Sequence, residues 1–196
     1  MNNKEKIKRE ALYLFAEKGF DKTSVREIAK KVGIRESAIY NHYKSKTDIF
    51  LALVSDAQKR LSVARFVDDE LMNRLNDPEK FLTALAERII KTWCKKEDKA
   101  YTKLLIQAKF NSSLKFEFKL EDLFANLRKL LEIIFDALKN YGYVKNYPTE
   151  FLTDEFLSPL IVLKFRFLIN DFFDYEQVLI YAREYVEIFW RQIKND

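Results

Sequence analysis

The chain has 196 residues, of which 48% are hydrophobic and 33% are charged, so it can bury a core and is not a disordered chain. Three glycines and three prolines are too few for the turns of a β-rich fold, and the single cysteine, Cys94, excludes an intrachain disulfide. The net charge of +5 lies wholly in residues 1–50, which hold 12 Lys and Arg against 7 Asp and Glu, as expected of a module that faces phosphates.

Neither a secretory signal nor a membrane span is predicted. The first ten residues are charged throughout and lack the apolar region of a signal peptide. The most apolar segment, residues 156–173, is interrupted by Lys164, Arg166 and Asp171, so its longest uncharged run is too short to span a bilayer. We therefore expect a soluble, cytoplasmic protein.

Hydrophobic spacing and capping signals predict four helices in the first 65 residues. The first covers residues 4–18 and the second covers residues 24–31, where Ser24 opens an S-x-x-E capping box. A short third helix covers residues 35–43. A fourth opens at the cap-like residues 45–48 and extends toward residue 65.

The rest of the chain is predicted to form longer helices without a strand. Asp77 and Pro78 provide a cap and a first-turn proline for the first of them, and Gly142 ends the third. The five predicted helices cover residues 78–96, 99–111, 117–141, 153–171 and 175–194. The fold class is therefore all-α, with about nine helices.

Residues 24–43 have the pattern of a helix-turn-helix, in which two short helices flank a tight turn that contains glycine. Gly33 can adopt the left-handed conformation of this turn, and Ala29 is small where the two helices would cross. The small core of the motif is predicted to consist of Ile28, Ile34 and Ile39. The second helix could then lie in a major groove and present its N-terminal residues to base edges.

A longer string of residues resembles the DNA-binding domain of the tetracycline-repressor (TetR) family of bacterial regulators. The resemblance covers residues 7–50 without gaps, and it is carried by Phe15-x3-Gly19-Phe20-x2-Thr23-Ser24-Val25-x2-Ile28-Ala29-x3-Gly33-Ile34 and Ile39-Tyr40-x-His42-Tyr43-x-Ser45-Lys46. It implies a DNA-binding domain in residues 1–47 and a helical ligand-binding and dimerisation domain in residues 48–196. It also implies a transcriptional regulator, a repressor, that binds double-stranded DNA and is released by a small molecule.

The resemblance implies roles for particular side chains at the DNA. Phosphates would be bound near the start of the second helix, on the recognition helix and at the start of the fourth helix by Thr23, Ser24, Tyr40, His42 and Lys46. Bases would be read by Arg35, Glu36, Ser37 and Asn41, of which Arg35 suits guanine and Asn41 suits adenine.

Several of these positions have alternative interpretations. Many family members have serine at the position of Arg35, where it caps the recognition helix. Arginine cannot cap in that way, so either Arg35 contacts DNA or the helix begins less tightly. His42 could be a packed or solvent-facing ring, Tyr40 could belong to the core, and Lys46 could be an ordinary surface lysine.

The last two predicted helices are expected to form a two-fold dimer through a four-helix interface. Its predicted members are Phe156, Leu160, Phe165, Leu168, Val178, Ala182, Tyr185 and Phe189. Such a dimer would bind a near-palindromic operator whose half-sites lie about 34–36 Å apart or a multiple of that distance.

The aromatic residues after residue 50 predict a mostly apolar cavity within residues 78–172, suited to a hydrophobic effector with an acidic or polar end. Its predicted lining residues are Trp93, Phe110, Phe124, Phe135, Lys164 and Arg166. Lys164 and Arg166 could instead belong to ion pairs at an interface.

No set of residues has the spacing of a metal site, a catalytic group or a phosphate-binding loop, so neither a cofactor nor an enzymatic activity is predicted. Two other classes remain as alternatives. The chain could be an all-helical dimeric interaction protein whose N-terminal module binds a protein, or an enzyme that uses the helical cavity.

Overall fold

The computed structural model describes residues 2–111, 114, 119–169 and 174–195. Within these residues the chain forms ten α-helices and no strand beyond an isolated bridge between Val144 and Lys194. The helices are α1 (Asn3–Lys18), α2 (Val25–Val32), α3 (Glu36–Tyr40), α4 (Lys46–Arg60), α5 (Asp69–Met72), α6 (Pro78–Trp93), α7 (Lys96–Phe110), α8 (Ala125–Asn140), α9 (Thr149–Ile169) and α10 (Tyr175–Ile193). The predicted all-α fold class is confirmed. The predicted link between the last two helices, at residues 171–174, lies largely outside the described residues.

Several helix boundaries differ from those predicted. Helix α8 begins at Ala125 instead of residue 117, and α9 begins at Thr149 instead of residue 153. The recognition helix α3 ends at Tyr40 instead of residue 43, because the amide of His42 donates to the carbonyl of Ile39 in a tight turn. Helix α4 ends at Arg60, short of residue 65. The short α5 was not predicted, and the Asp68 side chain caps it by accepting from the amide of Leu71 at 2.9 Å.

The described helices gather into two compact units. The first consists of residues 1–60 and 96–122, and the second of residues 61–95 and 123–196. The first unit therefore contains α7 in addition to the four N-terminal helices. The functional division after residue 47 stays a prediction.

The first unit is built on α1, which packs against α2, α4 and α7. The rings of Phe15, Phe20 and Phe50 meet with centroids 5.2–5.7 Å apart, which joins α1, the loop after it and α4. The Nζ of Lys8 on α1 also lies 2.7 Å from Oδ2 of Asp56 on α4. Helices α2 and α3 are therefore held on a packed support.

The second unit has its core between α6, α8, α9 and α10. Phe135 on α8 is fully buried, and its ring centroid lies 6.0 Å from that of Phe156 on α9 and 5.9 Å from that of Phe189 on α10. In the part of the chain that the structure describes, no helix is both long and apolar enough to cross a bilayer.

Candidate nucleic-acid interface

The N-terminus of α2 is fixed by the predicted capping box, which the structure confirms. The Oγ of Ser24 accepts from the amide of Glu27 at 3.2 Å, and Oε2 of Glu27 accepts from the amide of Ser24 at 2.9 Å. The other carboxylate oxygen of Glu27 accepts from Nζ of Lys18 at 2.9 Å. The hydrogen bonds from Lys18 and Ser24 lower the pKa of Glu27 to about 2, so this carboxylate is charged at neutral pH.

The turn between α2 and α3 has the geometry of a helix-turn-helix. Gly33 is left-handed, with φ +79°, and the amides of Gly33 and Ile34 both donate to the carbonyl of Ala29 at 3.0 Å. Ile28 and Ile39 are buried and Ile34 is partly buried, so the small predicted core of the motif forms. Helix α3 is thereby placed beside α2 by packing and backbone hydrogen bonds.

The recognition helix and the residues at its two ends are exposed on either side of the partly buried Ala38 and the buried Ile39. Its exposed predicted site residues are Arg35, Glu36, Ser37, Tyr40, Asn41 and His42. Tyr40 is 51% exposed, which rules out the alternative that its ring belongs to the core. Arg35 occupies the N-cap position without a side-chain hydrogen bond to the helix, so its guanidinium group does not cap α3.

Thr23 and Lys46 are placed differently from what the phosphate prediction needs. Thr23 is only 1% exposed, and its Oγ1 donates toward the carbonyls of Gly19 and Leu14, at 2.9 and 3.3 Å. The Nζ of Lys46 donates to the carbonyls of Phe20 and Thr23, at 2.7 and 2.9 Å. Both side chains thus bind backbone carbonyls of α1 or of the loop between α1 and α2.

Further basic residues of the first unit are exposed and were not singled out individually from the sequence. Between residues 20 and 45 they are Lys22, Arg26, Lys30, Lys31 and Lys44. The charge excess of residues 1–50 is the signal that points to them, because it predicts a basic surface without telling which lysines form it.

The structure brings together only part of the predicted ligand site. Trp93 and Phe124 are in edge contact, with ring centroids 5.8 Å apart, and Nζ of the buried Lys164 lies 4.7 Å from the centre of the Trp93 ring. Phe135 lies elsewhere in the same core. Arg166 is exposed.

Phe110 does not join this cluster. It is 74% exposed and belongs to the first unit, where it lines a groove of about 380 Å³ with Phe20 and Phe50. The apolar cavity within residues 78–172 stays a prediction.

Half of the predicted dimer contacts lie inside the core of the second unit. Phe156, Leu160, Ala182 and Phe189 are at most 4% exposed there, so their side chains cannot form an outer surface. The other half, Phe165, Leu168, Val178 and Tyr185, retain exposed area. Large apolar side chains that were not named but are exposed on the same helices are Phe151, Val162, Ile180, Tyr181 and Ile188. The hydroxyl of Tyr185 donates to the carbonyl of Glu155, which joins α10 to α9.

No group of three or more His, Cys, Asp or Glu residues is arranged to hold a metal ion within the described ranges. Cys94 is partly buried at the end of α6.

Comparison with known proteins identifies the N-terminal segment. Residues 7–53 match the family of bacterial regulatory proteins called the tetR family. A segment of 47 residues is 43% identical to the biofilm operon icaADBC HTH-type negative transcriptional regulator IcaR of Staphylococcus epidermidis, which covers 24% of this chain and 25% of that protein. A segment of 68 residues is 32% identical to the nucleoid occlusion factor SlmA of Mannheimia succiniciproducens, which covers 33% of this chain and 32% of that protein.

The whole chain is similar in fold to solved structures. The TetR family transcriptional regulator PfmR from Thermus thermophilus aligns over 100% of both chains, with a TM-score of 0.67 and 22% identity. At that identity the similarity shows the fold alone. The sequence matches span only a third or less of the length of the curated relatives.

Proposed function

We propose that this chain, whose N-terminal domain belongs to the tetR family of bacterial regulatory proteins, is a dimeric transcriptional repressor that binds operator DNA and is released by a small hydrophobic ligand. The observation that carries this proposal is the helix-turn-helix at residues 24–42. Its recognition helix is exposed from Arg35 to Ser37 and again from Tyr40 to His42, on the unit that holds the positive charge of the chain. We propose no catalytic role, and we expect the protein to act in the cytoplasm.

The exposed side chains of the recognition helix divide into two groups by chemistry. Arg35, Glu36, Ser37 and Asn41 carry the donors and acceptors that can read base edges in a major groove. Ser24, Tyr40 and His42 are exposed hydrogen-bonding groups suited to phosphate oxygens. The lysines and arginines around them add the sequence-independent part of the affinity.

A two-fold dimer is supported by the outer surface of α9 and α10. Val162 and Phe165 are exposed three residues apart on α9, and Tyr181 and Ile188 are exposed seven residues apart on α10, so each pair lies on one face of its helix. Apolar side chains of this size on adjacent helices are typical of a surface that a partner covers. A second copy would bury them and would place two recognition helices on a near-palindromic operator.

A ligand site is supported by the cluster of Trp93, Phe124 and Lys164 in the second unit. The buried ammonium group of Lys164 lies over the Trp93 ring, and Trp93 contacts Phe124, so the cluster combines apolar side chains with a charge suited to an acidic or polar group. The effector class that fits this chemistry is a hydrophobic molecule with an acidic end. Binding would release DNA if the ligand prefers the conformation that cannot bind the operator.

The proposed function is tested by selecting duplexes from a random library and measuring their affinity at several salt concentrations. We expect a near-palindromic site and a steep loss of affinity with added salt. Tyr40→Ala should weaken binding to selected and random duplexes alike, whereas Arg35→Ala and Asn41→Ala should change the preferred sequence. A protein that binds no duplex, or whose affinity is insensitive to all three substitutions, would instead favour a module that binds a protein partner.

A further inference from the structure

We propose that α9 has a hinge at Pro159, that the hydroxyl of Tyr185 on α10 holds this hinge in one conformation, and that the hinge couples the proposed ligand site to the proposed dimer surface. The part that moves is the second half of α9, residues 160–168, which carries side chains of both. The inference rests on the proposed function for these two surfaces, whereas the hinge itself can be tested without DNA, ligand or dimer.

Pro159 leaves one carbonyl of α9 without its helical donor. The helix runs through this proline from Thr149 to Ile169. A proline has no amide hydrogen, so the carbonyl of Glu155, four residues earlier, receives no hydrogen bond from position 159, and the proline ring also crowds this carbonyl. A helix bends most readily at such a position.

Tyr185 supplies the donor that Pro159 lacks. Its hydroxyl donates to the carbonyl of Glu155. Its ring stacks on that of Phe189, with centroids 6.2 Å apart, and the buried Phe189 in turn packs on Phe156 of α9. Burial raises the pKa of Tyr185 above its ordinary value, so the hydroxyl keeps the proton that it donates. The backbone of α9 is therefore tied to α10 at the position of the hinge.

The first half of α9 is bound to α8 by polar side chains. Nη2 of Arg128 donates to Oδ2 of Asp154 at 3.3 Å, and Nζ of Lys139 donates to the hydroxyl of Thr149 at 2.6 Å. Both contacts lie before Pro159 in the chain, so they fix the first half of the helix and leave the hinge at its end.

The second half of α9 joins the ligand site to the exposed surface. Lys164 is buried, and its Nζ lies 4.7 Å from the centre of the Trp93 ring. The next residue, Phe165, is partly exposed, although its ring centroid lies 6.5 Å from that of Phe124, and Val162 is exposed on the same half. Because these side chains belong to one helical segment, a ligand that displaces Lys164 also displaces the apolar side chains proposed to meet a second copy.

Hydrogen exchange of the full-length Tyr185→Phe variant tests the hinge, because this substitution removes only the hydroxyl. The amides of residues 160–163, directly after the hinge, should exchange about tenfold faster, since the carbonyl of Glu155 loses its donor. The amides of residues 152–155, before the hinge, should exchange as in the wild type. Unchanged exchange at residues 160–163, or an equal acceleration on both sides of Pro159, would overturn the inference.

Pro159→Ala is the matched rescue variant, because alanine restores an amide that can donate to the carbonyl of Glu155. In this background Tyr185→Phe should change exchange at residues 160–163 by less than about twofold. Tyr181→Phe, one turn earlier on α10, is the control for losing a tyrosine hydroxyl and should leave this exchange unchanged. An effect of Tyr185→Phe that persists in Pro159→Ala would show that the hydroxyl does not act through the proline, and the inference would be wrong.

Sedimentation equilibrium tests the coupling to the dimer surface. The dimer Kd of Tyr185→Phe should be about tenfold higher than that of the wild type, because the released hinge populates conformations in which the second half of α9 does not meet its partner. Adding Pro159→Ala should return the Kd to within about twofold of that of Pro159→Ala alone. A direct contact of Tyr185 at the interface would not be restored in this way, so a Kd that stays high would refute the coupling.

Tryptophan fluorescence tests the coupling to the ligand site. The chain has two tryptophans, so in a Trp190→Phe background the emission reports on Trp93 alone. This emission should change in Tyr185→Phe and return when Pro159→Ala is added, and an unchanged emission would refute this coupling. A wild-type protein that is monomeric at micromolar concentration would refute the proposed dimer, whereas unchanged hydrogen exchange in Tyr185→Phe would refute the hinge.

Discussion

Ile188 offers a direct test of the proposed dimer. It is 51% exposed on α10, one of the two helices whose exposed apolar side chains we propose that a second copy covers. If a second copy covers this surface, Ile188→Glu places two carboxylates in the interface, one from each protomer. If the protein is a monomer, the same substitution changes an exposed side chain only and has little effect.

The expected loss of dimer affinity follows from this exposure. Burying a whole isoleucine side chain is worth about 1.5–3 kcal/mol, so the exposed half of Ile188 contributes about 1 kcal/mol in each protomer. Desolvating an unpaired carboxylate adds at least about 1–3 kcal/mol in each protomer. The two copies together lose about 4–8 kcal/mol, which at about 1.4 kcal/mol per factor of ten raises the dimer Kd about a thousandfold or more.

Sedimentation equilibrium over nanomolar to micromolar protein concentrations measures this change. Ile133→Glu is the matched control, because Ile133 is 68% exposed but lies on α8, which is not one of the two helices of the proposed interface. We expect the Ile188 variant to dissociate at micromolar concentration and the Ile133 variant to remain dimeric. Equal effects of the two substitutions, or no effect of either, would refute the placement of the interface.

Three further predictions concern the support of the site. The pKa of Glu27 is lowered to about 2, so the charged carboxylate stabilises the fold fully above its ordinary pKa of 4.5, and this stabilisation is lost as the pH falls toward 2. Between pH 6 and pH 2.5, the melting temperature of the wild type should therefore fall more steeply than that of Glu27→Gln. Phe135→Ala should lower the free energy of unfolding by about 3–5 kcal/mol in a denaturant titration, because this ring is fully buried, whereas Phe151→Ala at a half-exposed ring should cost far less. Gly33→Ala should lower the free energy of unfolding by about 1–2 kcal/mol in the same titration. No atom lies within 4 Å of the added methyl group, so the cost comes from the left-handed backbone at φ +79° and not from a clash. A cost below the error of the titration would contradict this backbone argument.

Helix starts that carry capping residues were predicted most accurately. Ser24 with Glu27 gave the start of α2 to within one residue, and the Asp77-Pro78 pair gave the start of α6. The C-terminal end of a helix was harder to predict where no glycine follows it. Helix α4 ends at Arg60 without such a residue, and the hydrophobic spacing continues past this point because the following turn still contributes Phe66 to the core.

The exposed side chains of the recognition helix were predicted from the sequence, but the hydrogen bonds that Thr23 and Lys46 form within the protein were not. Their contact with phosphates stays a prediction. A lysine suits a phosphate and a carbonyl pair equally well, so the sequence around Lys46 could not show that the loop carbonyls of Phe20 and Thr23 converge on it. Likewise, α9 is apolar on nearly all sides. Its composition could not show that Phe156 points into its own core while Val162 points outward.

The shortness of α3 explains why so much of the surrounding structure serves to position it. A helix of five residues has barely one complete turn and no side-chain cap at Arg35, so it cannot be stable by itself. Its orientation must come from contacts outside it: the buried Ile39, the left-handed turn at Gly33 and the supports beneath α2. Because none of these contacts uses the exposed side chains of residues 35–37, those residues can change with the operator sequence while the helix keeps its place.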